Sequence, residues 1–144
     1  MDYKIAIPSY KRPQTIKNKT LKLLSKYNID KDKITVFVAN KEEEKIYKDS
    51  LGAEYKIIVG VPTLNNQRYF ITNYYEKGTK LMQFDDDLSG CMIKKNDKKL
   101  VPIKDLEKDF IIKGFEICEK LKSHFFGYYA VPNPYFMKKR IRTK

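Results

Sequence analysis

The chain has 144 residues, 42% hydrophobic and 33% charged, with a formal net charge of +12. That length suits one domain with a real core, and that apolar content excludes a disordered tail, while no apolar run nears the ~20 residues that span a bilayer. Met1-Asp2-Tyr3-Lys4 leads directly into a strand-like segment with no secretory h-region, and Cys91 and Cys118 match no metal spacing, so a reduced, cytoplasmic protein is expected.

Residues 3–8, Tyr-Lys-Ile-Ala-Ile-Pro, read as a buried strand stopped by Pro8. Pro13 suits a first helical turn, and Ile16, Thr20, Leu23, Leu24 and Tyr27 then share one helical face. Residues 34–39 form a second, β-rich apolar run. Lys41 to Leu51 reads as a charged helix with Ile46, Tyr47 and Leu51 inward, ended by Gly52. Tyr55 to Val59 is a third strand, Asn65 to Lys77 a helix closed by Gly78, and residues 80–84 a fourth strand leading to Asp85, Asp86 and Asp87.

Strand and helix alternating in this way imply an α/β fold, a mainly parallel sheet flanked by helices. Ligands in such folds sit outside the carboxyl ends of the strands. The polar clusters fall at those places: Ser9 to Arg12, Asn40, Asn65 to Arg68, and Asp85 to Asp87.

Beyond Asp87 the pattern changes. Cys91-Met92-Ile93, a polar turn at Asn96-Asp97 and Leu100-Val101 predict a β-hairpin. Leu106, Phe110, Gly114, Ile117, Cys118 and Leu121 then line one face of a long helix. Residues 125–137, aromatic with Gly127 and two prolines, read as strand and loop. His124, beside Phe125 and Phe126, is expected to pack rather than to catalyse.

Three carboxylates at a strand end repel one another unless a cation or strong donors compensate. Their hard oxygens select Mg²⁺, Mn²⁺ or Ca²⁺ over zinc. In an extended chain Asp85 and Asp87 point to one side and Asp86 to the other, so Asp85 and Asp87 suit a metal that also binds a diphosphate. An acidic turn or helix cap is the plainer alternative. Charge is uneven as well: 16 basic and 12 acidic side chains run through Asp87, against 14 and 6 after it. The chain closes on five cations, Lys138, Lys139, Arg140, Arg142 and Lys144, with no acid among them. Such a field favours a polyanion, although lysine-rich surfaces are also simply solubilising.

Ile5-Ala-Ile-Pro-Ser-Tyr-Lys-Arg-Pro13, Val36-Phe-Val-Ala-Asn40, Asn65-Asn-Gln-Arg68 and Met82-Gln-Phe-Asp-Asp-Asp87, in this order, resemble a GT-A-type glycosyltransferase. The likeness is to family-2-like enzymes, and more to those of bacteriophages and large DNA viruses, some associated with hypermodified DNA bases. It covers residues 4–90. The resemblance implies a Rossmann-like GT-A nucleotide-diphospho-sugar transferase fold over residues 1–144, with a nucleotide-sugar-binding half (1–90) and a partial acceptor half (91–144).

By that resemblance Pro8, Ser9, Tyr10 and Arg12 receive the base and phosphates of a nucleoside diphosphate sugar. Asn40 stands where relatives carry an aspartate that contacts base or ribose. Arg68 opens the third helix and faces the diphosphate or the aspartates. Asp85 and Asp87 match the DxD motif: Asp87 would ligate Mn²⁺ or Mg²⁺, Asp85 would reach ribose or metal, and Asp86 is counted with the nucleotide-sugar contacts. The implied reaction moves a sugar to a hydroxyl acceptor, with modified phage or viral DNA one candidate and the host cytoplasm the setting. The acids after Asp87 lie on a turn or a helix, and none is assigned as the catalytic base.

Packing for Tyr10, a surface cation for Arg12 and a helix-face salt bridge for Arg68 are the plainer readings of those residues. Two further functions compete. Glu54-Tyr-Lys56 has the Glu-x-Lys form of some metal-dependent nucleases, and the net charge suits a non-catalytic nucleic-acid-binding domain. A dinucleotide site is disfavoured, since no Gly-x-Gly-x-x-Gly follows the first strand.

Overall fold

The four apolar runs of the N-terminal part pair edge to edge in the computed structural model, which describes residues 1–129 and 131–138. They are β1 (Lys4–Pro8), β2 (Ile34–Val38), β3 (Lys56–Val59) and β4 (Leu81–Gln83). One sheet results, in the order β3-β2-β1-β4, with every pair parallel. Ile5 sits between Ile34 and Met82, and Val36 lies between Ile7 and Ile57, while Ala6 is flanked by Thr35 and Gln83. This is a Rossmann-like α/β arrangement. The chain divides into two compact units, Met1–Ser89 and Gly90–Lys144, and the sheet belongs to the first.

The chain steps from β1 to β2 to β3 in one direction, then returns past β1 to place β4. With right-handed crossovers, the helices after β1 and β2 cover one face and the helix after β3 covers the other. That last helix, α4 (Leu64–Tyr74), brings Ile71 against Ala6 and Phe37, with Ile58, Phe70, Tyr75 and Leu81 around them. Alternation along the strands sends Ile5, Ile7, Ile34, Val36 and Val38 to the opposite face. The buried side chains Ile16, Leu24, Tyr47 and Leu51 come from the helices assigned to that side.

The first helical run comprises α1 (Pro13–Ile16), a π turn (Lys17–Leu21) and α2 (Lys22–Lys26). Pro13 stands at its first position, where a missing N–H costs nothing. The wider π turn lets Thr20 and Leu21 both turn inward. α3 (Lys41–Leu51) is capped by Asn40, carries Glu42, Glu43 and Glu44 at its positive end, and stops at Gly52 with φ 70°. Its inward residues are Glu43, Tyr47 and Leu51, one helical repeat apart. The expectation for Ile46 is overturned: it lies about 100° around the helix from Tyr47 and is exposed.

α4 is also shorter than expected. It ends at Tyr74, because Tyr75 turns extended and its ring packs edge-on against Phe37, centroids 6.2 Å apart. Gly78, with φ 95°, serves the turn before β4 instead of closing the helix.

In the second unit β5 (Met92–Asn96) and β6 (Lys99–Pro102) form an antiparallel hairpin around a turn at Asp97 and Lys98. A π turn (Glu107–Ile112) then leads into α5 (Lys113–Leu121). That turn inserts an extra residue, so the buried face runs Leu106, Ile111, Phe115 and Cys118. The expected face through Phe110, Gly114, Ile117 and Leu121 is displaced by one position, and Leu121 is exposed. Gly114 accepts the Phe126 ring, where a Cβ would come within 2.3 Å of it.

Among the described residues, 125–137 contain no strand, and His124 is exposed rather than packed. Ala130 and residues 139–144, most of the basic tail, lie outside the described residues. No described helix is long and apolar enough to cross a membrane.

Candidate functional site

The order β3-β2-β1-β4 places its switch point between β1 and β4, so the loops leaving the carboxyl ends of these two strands are neighbours. Ser9 to Arg12 leave β1 there and Asp85 to Asp87 leave β4. The two loops are bound to each other.

β4 ends at Gln83, and Asp86 and Asp87 occupy a turn. The extended-chain alternation expected for the three aspartates therefore does not apply. Asp86 turns inward and is only 2% exposed. Its Oδ2 accepts a hydrogen bond from Ser9 Oγ at 2.6 Å, and its Oδ1 lies 2.7 Å from a guanidinium nitrogen of Arg12. Both oxygens are thus engaged inside the protein, and Asp86 stands beneath the site rather than open to a ligand.

Asp87 points outward, with its side chain 47% exposed, 3.6 Å from the other terminal nitrogen of Arg12. Asp85 is half exposed and pairs with Arg68 from the first turns of α4. Arg68 also reaches Gln83 Oε1 at 3.4 Å, while Gln83 donates to Thr72 one turn further along α4. Two arginines therefore compensate the three carboxylates, and the repulsion inherent in the triplet is met by strong donors.

The β1 loop is held from beneath by α3. Ser9 has one proton, which it gives to Asp86, so the Tyr47 hydroxyl donates to Ser9 Oγ across 2.7 Å. The same Tyr47 oxygen accepts the Arg12 backbone N–H at 3.1 Å. Burial pushes the Tyr47 phenol up and keeps it in the donating form. Lys11 takes the left-handed conformation, φ 54°, and gives its N–H to Glu43 Oε2 at 2.8 Å. Glu43 is itself fixed through its own N–H, accepted by Asn40 Oδ1 at 2.9 Å.

The aspartate turn is fastened from the other side by Thr20. Its hydroxyl donates to the Asp85 carbonyl at 2.7 Å and accepts the Leu88 N–H at 2.9 Å. Thr20 is wholly buried on an otherwise apolar helix face.

The structure thus brings Ser9, Arg12, Arg68, Asp85, Asp86 and Asp87 into two linked clusters. Tyr10 stands exposed on the same loop with Lys11 Nζ 5.1 Å from its ring centroid, so the ring is not part of the core. Pro8 is buried as the last residue of β1. Asn40 uses its carbonyl oxygen to cap α3. Within the Asn65 to Arg68 cluster, Gln67 is buried and tethers Val38 O and Val61 N. Sequence patterns passed over Thr20, Glu43 and Tyr47 as members of the site. Two of the three carry a signal: the Asn40-x-x-Glu43 spacing of a capping box, and a lone hydroxyl at Thr20 amid aliphatic neighbours.

Among the described residues no group of three or more His, Cys, Asp or Glu side chains converges on one point. Asp85 and Asp87 are the outward-facing carboxylates, a donor set suited to Mg²⁺ or Mn²⁺, ions that take one or two carboxylates and complete their shell with phosphate and water. Compared with protein-family profiles, curated proteins and solved structures, the chain finds no match.

Proposed function

We propose that the first unit binds a nucleoside diphosphate sugar and serves a metal-dependent GT-A-type glycosyltransferase. One observation carries this reading: at the switch point of a parallel sheet, two outward carboxylates, two guanidinium groups and an exposed tyrosine stand on the facing loops of β1, β4 and the start of α4. Arg12, with its side chain 52% exposed, has donors left for phosphate oxygens, and the Tyr10 ring offers a stacking face for a base. Asp87 would hold Mn²⁺ or Mg²⁺, with Asp85 either joining it or reaching the ribose. The cation, when bound, supplies charge neutralisation for the diphosphate.

The acceptor in this reading is a hydroxyl, and the cation excess after Asp87 favours one carried by a polyanion such as DNA. The nuclease reading is weaker on geometry. Glu54-Tyr-Lys56 lies at the amino end of β3, the opposite end of the parallel sheet from Asp85 to Asp87, and Glu54 is paired with Lys31 at 2.6 Å.

Thermal shift with Mn²⁺ or Mg²⁺ and a panel of nucleoside diphosphates tests the donor site, because a ligand of the native state raises the melting temperature. Asp87→Ala is expected to lose the metal-dependent part of the shift while keeping the unliganded melting temperature. Undiminished Mn²⁺-stimulated binding in that variant would remove the metal role from Asp87.

A further inference from the structure

We infer that Glu43 and Tyr47 of α3 are positioning residues that preset the β1 loop and so fix where Arg12 is presented. Neither side chain is open to a ligand: Glu43 is 5% exposed and Tyr47 wholly buried. Both nevertheless direct a polar atom at the backbone of the loop, Glu43 to the Lys11 N–H and Tyr47 to the Arg12 N–H. Two consecutive amides of an exposed loop are thus gripped by one helix, at positions one helical repeat apart.

The grip has a physical purpose at each residue. Lys11 sits at φ 54°, a conformation that costs a residue with a Cβ free energy unless the surroundings hold it. A carboxylate accepting its N–H makes a charge-assisted bond, stronger than a neutral one. That left-handed step turns the chain so that Arg12 follows with its N–H toward Tyr47. Tyr47 then continues through Ser9 to Asp86, the carboxylate that holds the Arg12 guanidinium. Arg12 is therefore fixed at both ends, by its backbone and by its side chain, through one buried chain of hydrogen bonds. Linked bonds of this kind polarise and reinforce one another. The helix that supplies them is anchored by Asn40, whose cap bond terminates on Glu43 itself. An arginine held in advance binds an anion without first losing its own freedom.

The arrangement belongs to the unliganded protein, while its use on a diphosphate rests on the function proposed above. The test separates the two. Amide hydrogen exchange on the free protein, read by NMR, should show Lys11 and Arg12 protected. Glu43→Ala should speed exchange at Lys11 by about tenfold or more, and Glu43→Gln, which keeps an acceptor oxygen, should restore most of the protection. Tyr47→Phe, which keeps the ring, should release Arg12 more than Lys11. Unprotected amides in the wild-type protein, or wild-type exchange in Glu43→Ala, would overturn the inference. So would equal loss in Glu43→Gln and Glu43→Ala, which would show that an acceptor oxygen at this position does not hold the Lys11 N–H.

The second arm measures Mn²⁺-dependent binding of a nucleoside diphosphate. Tyr47→Phe should weaken it by about tenfold in the wild-type background and leave it unchanged in Arg12→Ala, as expected of a residue acting through Arg12. Equal weakening in both backgrounds would sink the positioning role. If the wild-type protein binds no nucleoside diphosphate, the proposed function fails, and the exchange experiment alone decides whether α3 presets the loop.

Discussion

The two units of the chain use their apolar residues differently. In residues 1–89 twenty large or small apolar side chains are buried and six large ones exposed; in the described part of residues 90–144 five are buried and nine exposed. The first unit closes a core on both faces of its sheet. The second has a hairpin with little cover, a helix buried along one stripe, and a closing aromatic stretch in which Phe125 is 85% exposed. The difference shows where sequence patterns carry structural meaning. An apolar residue is informative when a partner face exists to bury it, and much less so where none is supplied.

The largest expected effect turns on that contrast. Phe37→Ala removes a fully buried ring between Ala6 and Ile71 and should cost about 3–5 kcal/mol in urea denaturation. Phe125→Ala, a change of the same chemistry on an exposed ring, should stay within about 0.5 kcal/mol. Comparable losses at the two sites would show that the second unit is packed as tightly as the first.

Much of the first unit was legible in its sequence, for identifiable reasons. Pro8, Pro13 and Gly52 punctuate elements whose apolar runs have the lengths of buried strands, and all four strands fall where those runs predict. Errors cluster where the backbone departs from a regular period. The π turn at Glu107–Ile112 shifts the helix face from Phe110 to Ile111, and no residue type announces such a turn. Hydrophobicity alone puts Ile46 inward, yet the inward position belongs to Glu43, a charge with a backbone amide to bind. The candidate site was legible in part. Arg12, Arg68 and the aspartates are conspicuous as charges near strand ends, but the inward turn of Asp86 depends on where β4 stops. Its partners Ser9 and Arg12 lie 77 and 74 residues away in sequence, beyond any local pattern.

A smaller effect tests how far the core of the first unit extends into its site. Thr20→Val keeps the shape of the side chain but strands the Asp85 carbonyl and the Leu88 N–H, two groups that the hydroxyl satisfies together. The expected cost is about 1–3 kcal/mol in stability, with weaker metal-dependent nucleotide binding because the aspartate turn loses its fastening. A variant that loses stability yet binds at wild-type strength would confine Thr20 to the core.

The smallest effect on folding, and the one that bears on the acceptor, concerns the basic end of the chain. Removing residues 138–144 takes away five cations and no acid, and should leave the melting temperature and nucleoside diphosphate binding unchanged. Its consequence should appear only with a polyanion. If DNA is the acceptor, each phosphate neutralised by a lysine or arginine releases a counterion, so affinity falls with salt in proportion to the contacts made. Loss of the five cations should then flatten the plot of log affinity against log salt by up to about 4–5 in slope, at ~0.9 per contact. An unchanged slope would move the contacts to lysines elsewhere in the chain. Salt-insensitive binding, or none with any duplex, would remove DNA as the acceptor and leave the +12 charge as solubilising surface, which makes the salt titration the measurement that separates a polyanion-binding unit from a merely basic one.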